Sequence, residues 1–221
     1  MVDAFARIAD RDCHLVIVTV GLLMTDAKTI ATYDSKAADY AATFASDGPD
    51  KTLLAFFELM PKGARILDLG CGPGTASAHM RNAGMDPDPM DASEGMIALA
   101  RERYDLPARL GTFDDISGTS VYDGVWANFS LLHAARADLP RYFLALGTAT
   151  KPNGTIHVGM KTGDGVMRDA LDRLYTYVSV PELQGLLEDA GFTVNYIKEG
   201  AERGMAGTID PFVIMRGRKN A

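Results

Sequence analysis

The sequence predicts an α/β fold built on a doubly wound, mostly parallel sheet. Three observations carry this reading. Short apolar strand candidates alternate with helical patterns from Arg65 onward, and such alternation puts helices on both faces of a parallel sheet. The first of these strands runs straight into a glycine-rich loop and a helix. The last two strand candidates have no helix between them, so they should pair antiparallel.

The elements follow in order. Tyr33, Ala37, Tyr40, Ala41 and Phe44 share one face, which predicts a helix over Ala31 to Ala45. "DGPD" at 47–50 breaks it, and "KTLLAFFELM", 51–60, is an apolar helix closed by Pro61 and Gly63. "RILDLG", 65–70, is a strand, and "TASAHMRNAG", 75–84, a helix with Gly84 as its stop. "GMDPDPMDASEGM" at 84–96 should hold the second strand, yet it carries Pro87 and Pro89. Their missing N–H groups face the same side, so a short, frayed strand is expected. A helix over 94–104 follows, with Glu94 complementing its dipole. Strands are expected at 108–113, 122–128 and 155–161, with a helix and a turn over 138–154. The polar stretch 162–177 reads as a loop. Ser179 and Glu182 form a capping box for a helix that runs to Gly191. Strands at 192–200 and 211–219 close the chain.

Composition bounds the function. The 221 residues suit one α/β domain with 47% hydrophobic and 23% charged residues. Net charge is -7 with no Lys/Arg block, which argues against a nucleic-acid partner. The two cysteines, Cys13 and Cys71, form no framework, and the four histidines show no metal-ligand spacing, so no metal is expected. Such thiol usage suggests a cytoplasmic setting. The apolar run His14 to Met24 is too short to span a membrane. Residues 1–27 read as an N-terminal extension, with Met24 as the alternative natural start.

The glycine loop carries the strongest chemical signal. "RILDLGCGPGTASAHM", 65–80, places Asp68 at a strand end and alternates Gly70, Gly72 and Gly74. Glycines let the backbone approach a ligand, and the helix N-terminus beyond offers unpaired N–H groups. A dinucleotide fingerprint would need a third glycine where Thr75 stands, and no G-K-[ST] tripeptide occurs. An acid should end the second strand to bind ribose hydroxyls. Asp91 is the choice, with Asp86 and Asp88 as solvated turn residues.

"LDLGCGPG" resembles motif I of class I S-adenosylmethionine (SAM)-dependent methyltransferases, and the resemblance extends over about residues 33–219. It implies a seven-stranded Rossmann-like sheet with the last strand antiparallel, and a methyltransferase domain over 28–221. The loop Gly70, Cys71, Gly72 and Gly74 would lie beneath the methionine part of SAM, with Asp68 near its ammonium. Cys71 itself reads better as a packing residue. "DASEGM" resembles the family's D-x-S-x-x-M, which gives ribose to Asp91 and the adenine border to Ala92 and Met96. Phe113 and Asp114 match the adenine positions, and Asn128 and Phe129 the strand end beside the methyl. Tyr40, and after it Tyr33, match the lid helix. His133, expected to be the only histidine facing the site, is a general base or an orienting residue. Tyr33, Arg168, Arg173 and Tyr175 are candidates for binding substrate, and Asn128 and His133 for catalysis.

The implied activity is methyl transfer from SAM to a small-molecule acceptor by in-line displacement, leaving S-adenosylhomocysteine (SAH). Two alternatives stand beside it. One is a non-catalytic, degenerate SAM-binding domain, which Pro87 and Pro89 favour. The other is an NAD(P)-dependent oxidoreductase. No nucleic acid or membrane partner is expected, and the chain should be a monomer or homodimer.

Overall fold

The computed structural model describes residues 26–43, 48–204 and 207–221. The readings on Cys13, on the extension up to residue 25 and on the end of the first helix lie outside these. Nine strands and six helices are formed among the described residues. They are α1 (Ala27–Thr43), α2 (Lys51–Phe57), β1 (Arg65–Leu69), α3 (Thr75–Asn82), β2 (Asp86–Asp91), α4 (Glu94–Tyr104), β3 (Arg109–Leu110), β4 (Tyr122–Asn128), α5 (Leu139–Ala149), β5 (Thr150–Lys161), β6 (Val166–Arg168), β7 (Leu174–Thr176), α6 (Val180–Asp189), β8 (Phe192–Arg203) and β9 (Ile209–Lys219). Seven strands form one sheet in the order β3-β2-β1-β4-β5-β9-β8. β1 to β5 pair in parallel, and β9, the last strand, runs antiparallel to both β5 and β8. This is the Rossmann-like arrangement expected.

The alternation along β4 divides the core. Val125 and Ala127 join Phe143, Leu146, Leu183 and Leu187 beneath α5 and α6. Trp126 points the other way, onto Leu53 and Phe56 of α2 and Met80 of α3. The chain turns between β1 and β4, where one half of the sheet winds outward through β2 and the other through β5. Open α/β sheets bind ligands at the strand ends beside such a reversal.

Several boundaries differ from expectation. α1 begins at Ala27, because the Asp26 carboxylate accepts the Thr29 N–H at 2.9 Å. β3 is only two residues long, since Thr112 and Asp115 form a capping box that pulls 113–115 into a 3-10 turn. β5 starts at Thr150, where the expected turn lay, and pairs there with Tyr122 ahead of a bulge. The stretch read as a loop contains the β6–β7 hairpin. The Ser179–Glu182 capping box has both of its bonds.

β2 is not frayed. It pairs with β1 over five positions, and Met90 is fully buried. The reason is phase. Asp86 donates its N–H to the Ala64 carbonyl and Met90 accepts from Gly70, so the even residues bond β1. Asp91 accepts from Gly111 on the other side. Pro87 and Pro89 share that outer phase, and β3 reaches only Met90 and Asp91. The two prolines therefore withhold N–H groups where no strand runs, the position proline tolerates. Nor is Asp88 a turn residue. It is half-buried on β2 and accepts from Arg109 Nε at 3.1 Å and Tyr122 Oη at 2.6 Å. Asp86 is exposed and pairs with Arg65 at 2.9 Å.

Since the prolines fit their backbone, each stabilises by limiting the unfolded chain. Pro87→Ala and Pro89→Ala should each lower stability by about 0.4–1 kcal/mol in urea unfolding. A gain in stability from either would mean that the prolines injure the strand.

Candidate functional site

Three adjoining cavities open at the C-terminal ends of β1, β2 and β4, and Tyr40 and Asn128 line all three. The first runs from Asp91, Ala92 and Met96 past Thr112 and Phe113 to Phe129 and His133. The second lies on the other side of the glycine loop, between Asp68, Cys71, Thr75, His79 and Trp126. The third, about 390 Å³, is walled by Tyr33, Phe129, Tyr175 and Phe212, with Lys161 and Arg173 among its charged groups.

The loop's shape comes from its glycines and from Asp91. Gly70 has φ +71°, and a β-carbon there would stand 2.4 Å from Ser130 Cβ. Gly72 has φ +54° and sits beneath Tyr40. Its N–H donates to Asp91 Oδ2 at 2.8 Å, while Asp91 Oδ1 accepts the Ser93 N–H at 2.9 Å. Burial pushes the Asp91 carboxyl up, against these bonds. Asp68 is 2% exposed and accepts from Ser77 Oγ at 2.7 Å. It has no cationic partner among the described residues, and burial pushes its pKa up to about 7 despite the Ser77 bond. A buried acid with no cation, facing a cavity, suits a ligand's ammonium group. Ser130 Oγ, buried and without a hydrogen-bond partner, adds an unclaimed polar atom beside the first cavity. These features fit the residues to SAM.

Several expected residues turn their side chains to other tasks. Gly74, at φ +83°, faces Ala100 and Leu106, and a β-carbon would approach them to 2.9 and 2.7 Å. It serves the contact between α3 and α4. Cys71 lines the second cavity, yet its side chain belongs to a core cluster with Ala78 and Ile97, and burial raises its pKa. It is an inert packing residue. The 3-10 turn directs Phe113 inward and Asp114 outward, where Asp114 pairs with Arg141 on α5. Arg168 pairs with Asp26 at 2.7 Å and with Asp172, outside all three cavities. It ties the hairpin to the start of α1.

Tyr33, His133 and Arg173 meet in one chain of hydrogen bonds. The His133 ring lies 2.6 Å from the Leu174 carbonyl through Nδ1 and 2.9 Å from Tyr33 Oη through Nε2. The carbonyl can only accept, so Nδ1 carries the proton and Nε2 accepts from Tyr33. Arg173 donates to Tyr33 Oη at 3.0 Å and pairs with Asp169 at 2.6 Å. Burial holds the His133 pKa down to about 4, and the Arg173 charge adds to this.

His133 is not the only histidine at the site. His79 lines the second cavity, and His157 stacks on Trp126 at 3.8 Å and contacts Asn128 Oδ1 at 3.1 Å. Asp34 on α1 was also missed; it accepts from Ser93 Oγ at 2.6 Å and the Gly95 N–H at 3.0 Å. Lys161 lies 3.8 Å from the centre of the Tyr175 ring and pairs with Asp210 at 2.5 Å. None of these carries a local sequence signal, because each acts on a partner distant in the chain. Among the described residues no group of three or more His, Cys, Asp or Glu could hold a metal, and no helix is long and apolar enough to cross a membrane.

Comparison with known proteins agrees with this geometry. Residues 66–154 match the family model described as a methyltransferase domain. The chain is 34% identical over 120 residues to a trans-aconitate 2-methyltransferase of Variovorax paradoxus, covering 51% of this chain and 44% of that protein. It is 33% identical over 102 residues to a malonyl-[acyl-carrier protein] O-methyltransferase of Pectobacterium atrosepticum, covering 44% and 40%. The chain thus spans less than half the length of either relative. The fold matches that of Burkholderia thailandensis 1,6-didemethyltoxoflavin-N1-methyltransferase, solved with its namesake substrate and SAH, at a TM-score of 0.68, 21% identity and 88% of each chain.

The Tyr33 hydroxyl serves two buried partners at once. Tyr33→Phe should cost about 1–3 kcal/mol in urea unfolding, because it strands the buried His133 Nε2. A cost below about 0.3 kcal/mol would mean that the pair does not form.

Proposed function

We propose that this chain is a class I SAM-dependent methyltransferase that moves a methyl group from SAM to a small-molecule acceptor held in the third cavity. One observation carries the reading. The cavity containing Asp68 and the one containing Asp91 both meet the aromatic third cavity at Tyr40 and Asn128. A cofactor lying across the first two would present its reactive end there. Two similar proteins are named for small molecules, trans-aconitate and 1,6-didemethyltoxoflavin, which supports an acceptor of that size.

SAM, when bound, supplies a methyl group on a sulfonium that is its own leaving group. The chain's task is to hold, align and exclude water. Asp91, with Ala92, Met96 and Phe113, would hold the adenosine, and Asp68 the ammonium. Tyr40 would cover the junction. Tyr33, Tyr175, Phe129 and Phe212 would sandwich the acceptor, with Arg173 and Lys161 at its polar end. Orientation of this kind is worth ~7–11 kcal/mol of barrier.

A histidine with pKa near 4 is a poor proton acceptor at neutral pH. We therefore assign His133 to holding Tyr33 and not to general-base catalysis. The acceptor should arrive with a free lone pair, as a carboxylate or an unprotonated nitrogen does. The non-catalytic alternative has lost its main support, since β2 is intact and presents Asp91. The cysteine usage keeps our placement of the activity in the cytoplasm.

Calorimetric titration with SAH tests the reading. Binding should be micromolar and at least tenfold weaker in Asp91→Ala; failure of SAH to bind the wild type would sink the proposal. The pH dependence follows from Asp68. Its free pKa is raised to about 7, and a ligand ammonium favours the carboxylate, so binding expels a proton. Affinity should rise up to about tenfold per unit as pH climbs toward about 7, then level. Asp68→Asn should bind more weakly and flatten the profile. A flat wild-type profile would place the ammonium elsewhere.

A further inference from the structure

Arg216 on β9 is an anomaly outside the chemistry described so far. It is 6% exposed and has no carboxylate partner among the described residues. A buried unpaired guanidinium is costly unless its donors are used. They are used on neutral acceptors. One terminal nitrogen donates to the Thr52 carbonyl at 3.0 Å and the other to Ala55 at 3.4 Å, both on α2, and the head lies 4.6 Å from the centre of the Tyr196 ring. Nε–H points at His157 Nδ1, 3.5 Å away.

Donor and acceptor chemistry sets the rest of the chain. Arginine has no acceptor, so Nδ1 of His157 must present its lone pair. Burial and the Arg216 charge push the His157 pKa well down, which keeps the ring neutral. Its one proton is then on Nε2, and Nε2–H donates to Asn128 at 3.1 Å. The Asn128 atom that receives it must be Oδ1. The ring cannot swing, because it is 0% exposed and stacks on Trp126 with 15° between planes. Gly159 leaves room for that oxygen, as a β-carbon there would stand 2.8 Å from it. The next residue, Phe129, takes φ +57°, a strained conformation for a large side chain.

We propose that His157 is a positioning residue for Asn128, its tautomer imposed by Arg216. The relay turns the Asn128 amide N–H2 away from the sheet and toward the junction of the three cavities. It there offers a hydrogen bond to a lone-pair atom of the bound cofactor. This rests on the methyltransferase reading for its ligand, but not for its tautomer.

The test is a long-range proton–nitrogen NMR correlation of the full chain at pH 7, with and without SAH. The account expects His157 protonated at Nε2 alone. It expects the Asn128 side-chain amide signals to move on SAH addition in the wild type and in His157→Gln, whose amide can also donate. In His157→Leu those signals should not respond, and SAH should bind about fivefold more weakly, the loss of one hydrogen bond. Protonation of Nδ1, or an imidazolium, overturns the proposal without needing any variant to fold. So does wild-type SAH binding that leaves the Asn128 signals unmoved. If SAH does not bind at all, the methyltransferase reading fails, and the ring tautomer alone decides whether the relay exists.

Discussion

The Asp91 carboxylate bonds two backbone N–H groups from two different turns, Gly72 in the glycine loop and Ser93 at the start of α4. This bridge sets the distance between the ends of β1 and β2, and with it the width of the first cavity. Everything else at the site is arranged around it. Gly72 can lie there because glycine readily adopts the positive φ of +54° that the turn requires. β2 can deliver Asp91 because its prolines spend their lost donors on the open side of the sheet.

The same bridge positions the covering helix. Ser93, held by Asp91, donates its hydroxyl to Asp34 of α1, and the Gly95 N–H donates there too. Gly95 permits this closeness, since a β-carbon would stand 3.1 Å from the Asp34 carbonyl oxygen. From that anchor α1 lays Tyr33 and Tyr40 over the cavities. Its other side is tied to the β6–β7 hairpin through Thr29 to Leu174, Thr32 to Leu171 and Asp26 to Arg168. The helix and hairpin together roof the first and third cavities.

The alternation of strands and helices, the antiparallel closing pair and the capping box at Ser179 were legible in the sequence because each follows from a pattern among residues close together in the chain. Asp91 was legible because its spacing from the loop is set by one helix and one strand. The errors have the opposite character. Asp114 was misplaced because a two-residue β3 and a capped turn rotate it onto Arg141. Arg168 and Arg173 look alike in sequence, yet the hairpin sends one to Asp26 and the other to Tyr33. Asp88 looked like a turn residue until β2 brought it beside Arg109 and Tyr122. His157 sits in an ordinary strand pattern, and its partner Arg216 lies 59 residues away. Periodicity records which face a residue occupies, not what it meets there.

The central claim is that three cavities form one site joined at Tyr40 and Asn128. A crystal structure of the SAH complex tests it most directly. The account predicts ribose on Asp91, the amino group on Asp68, the sulfur against Asn128 and Tyr40, and the third cavity left open for an acceptor. SAH lying with its sulfur away from that junction, or filling the third cavity, would contradict it.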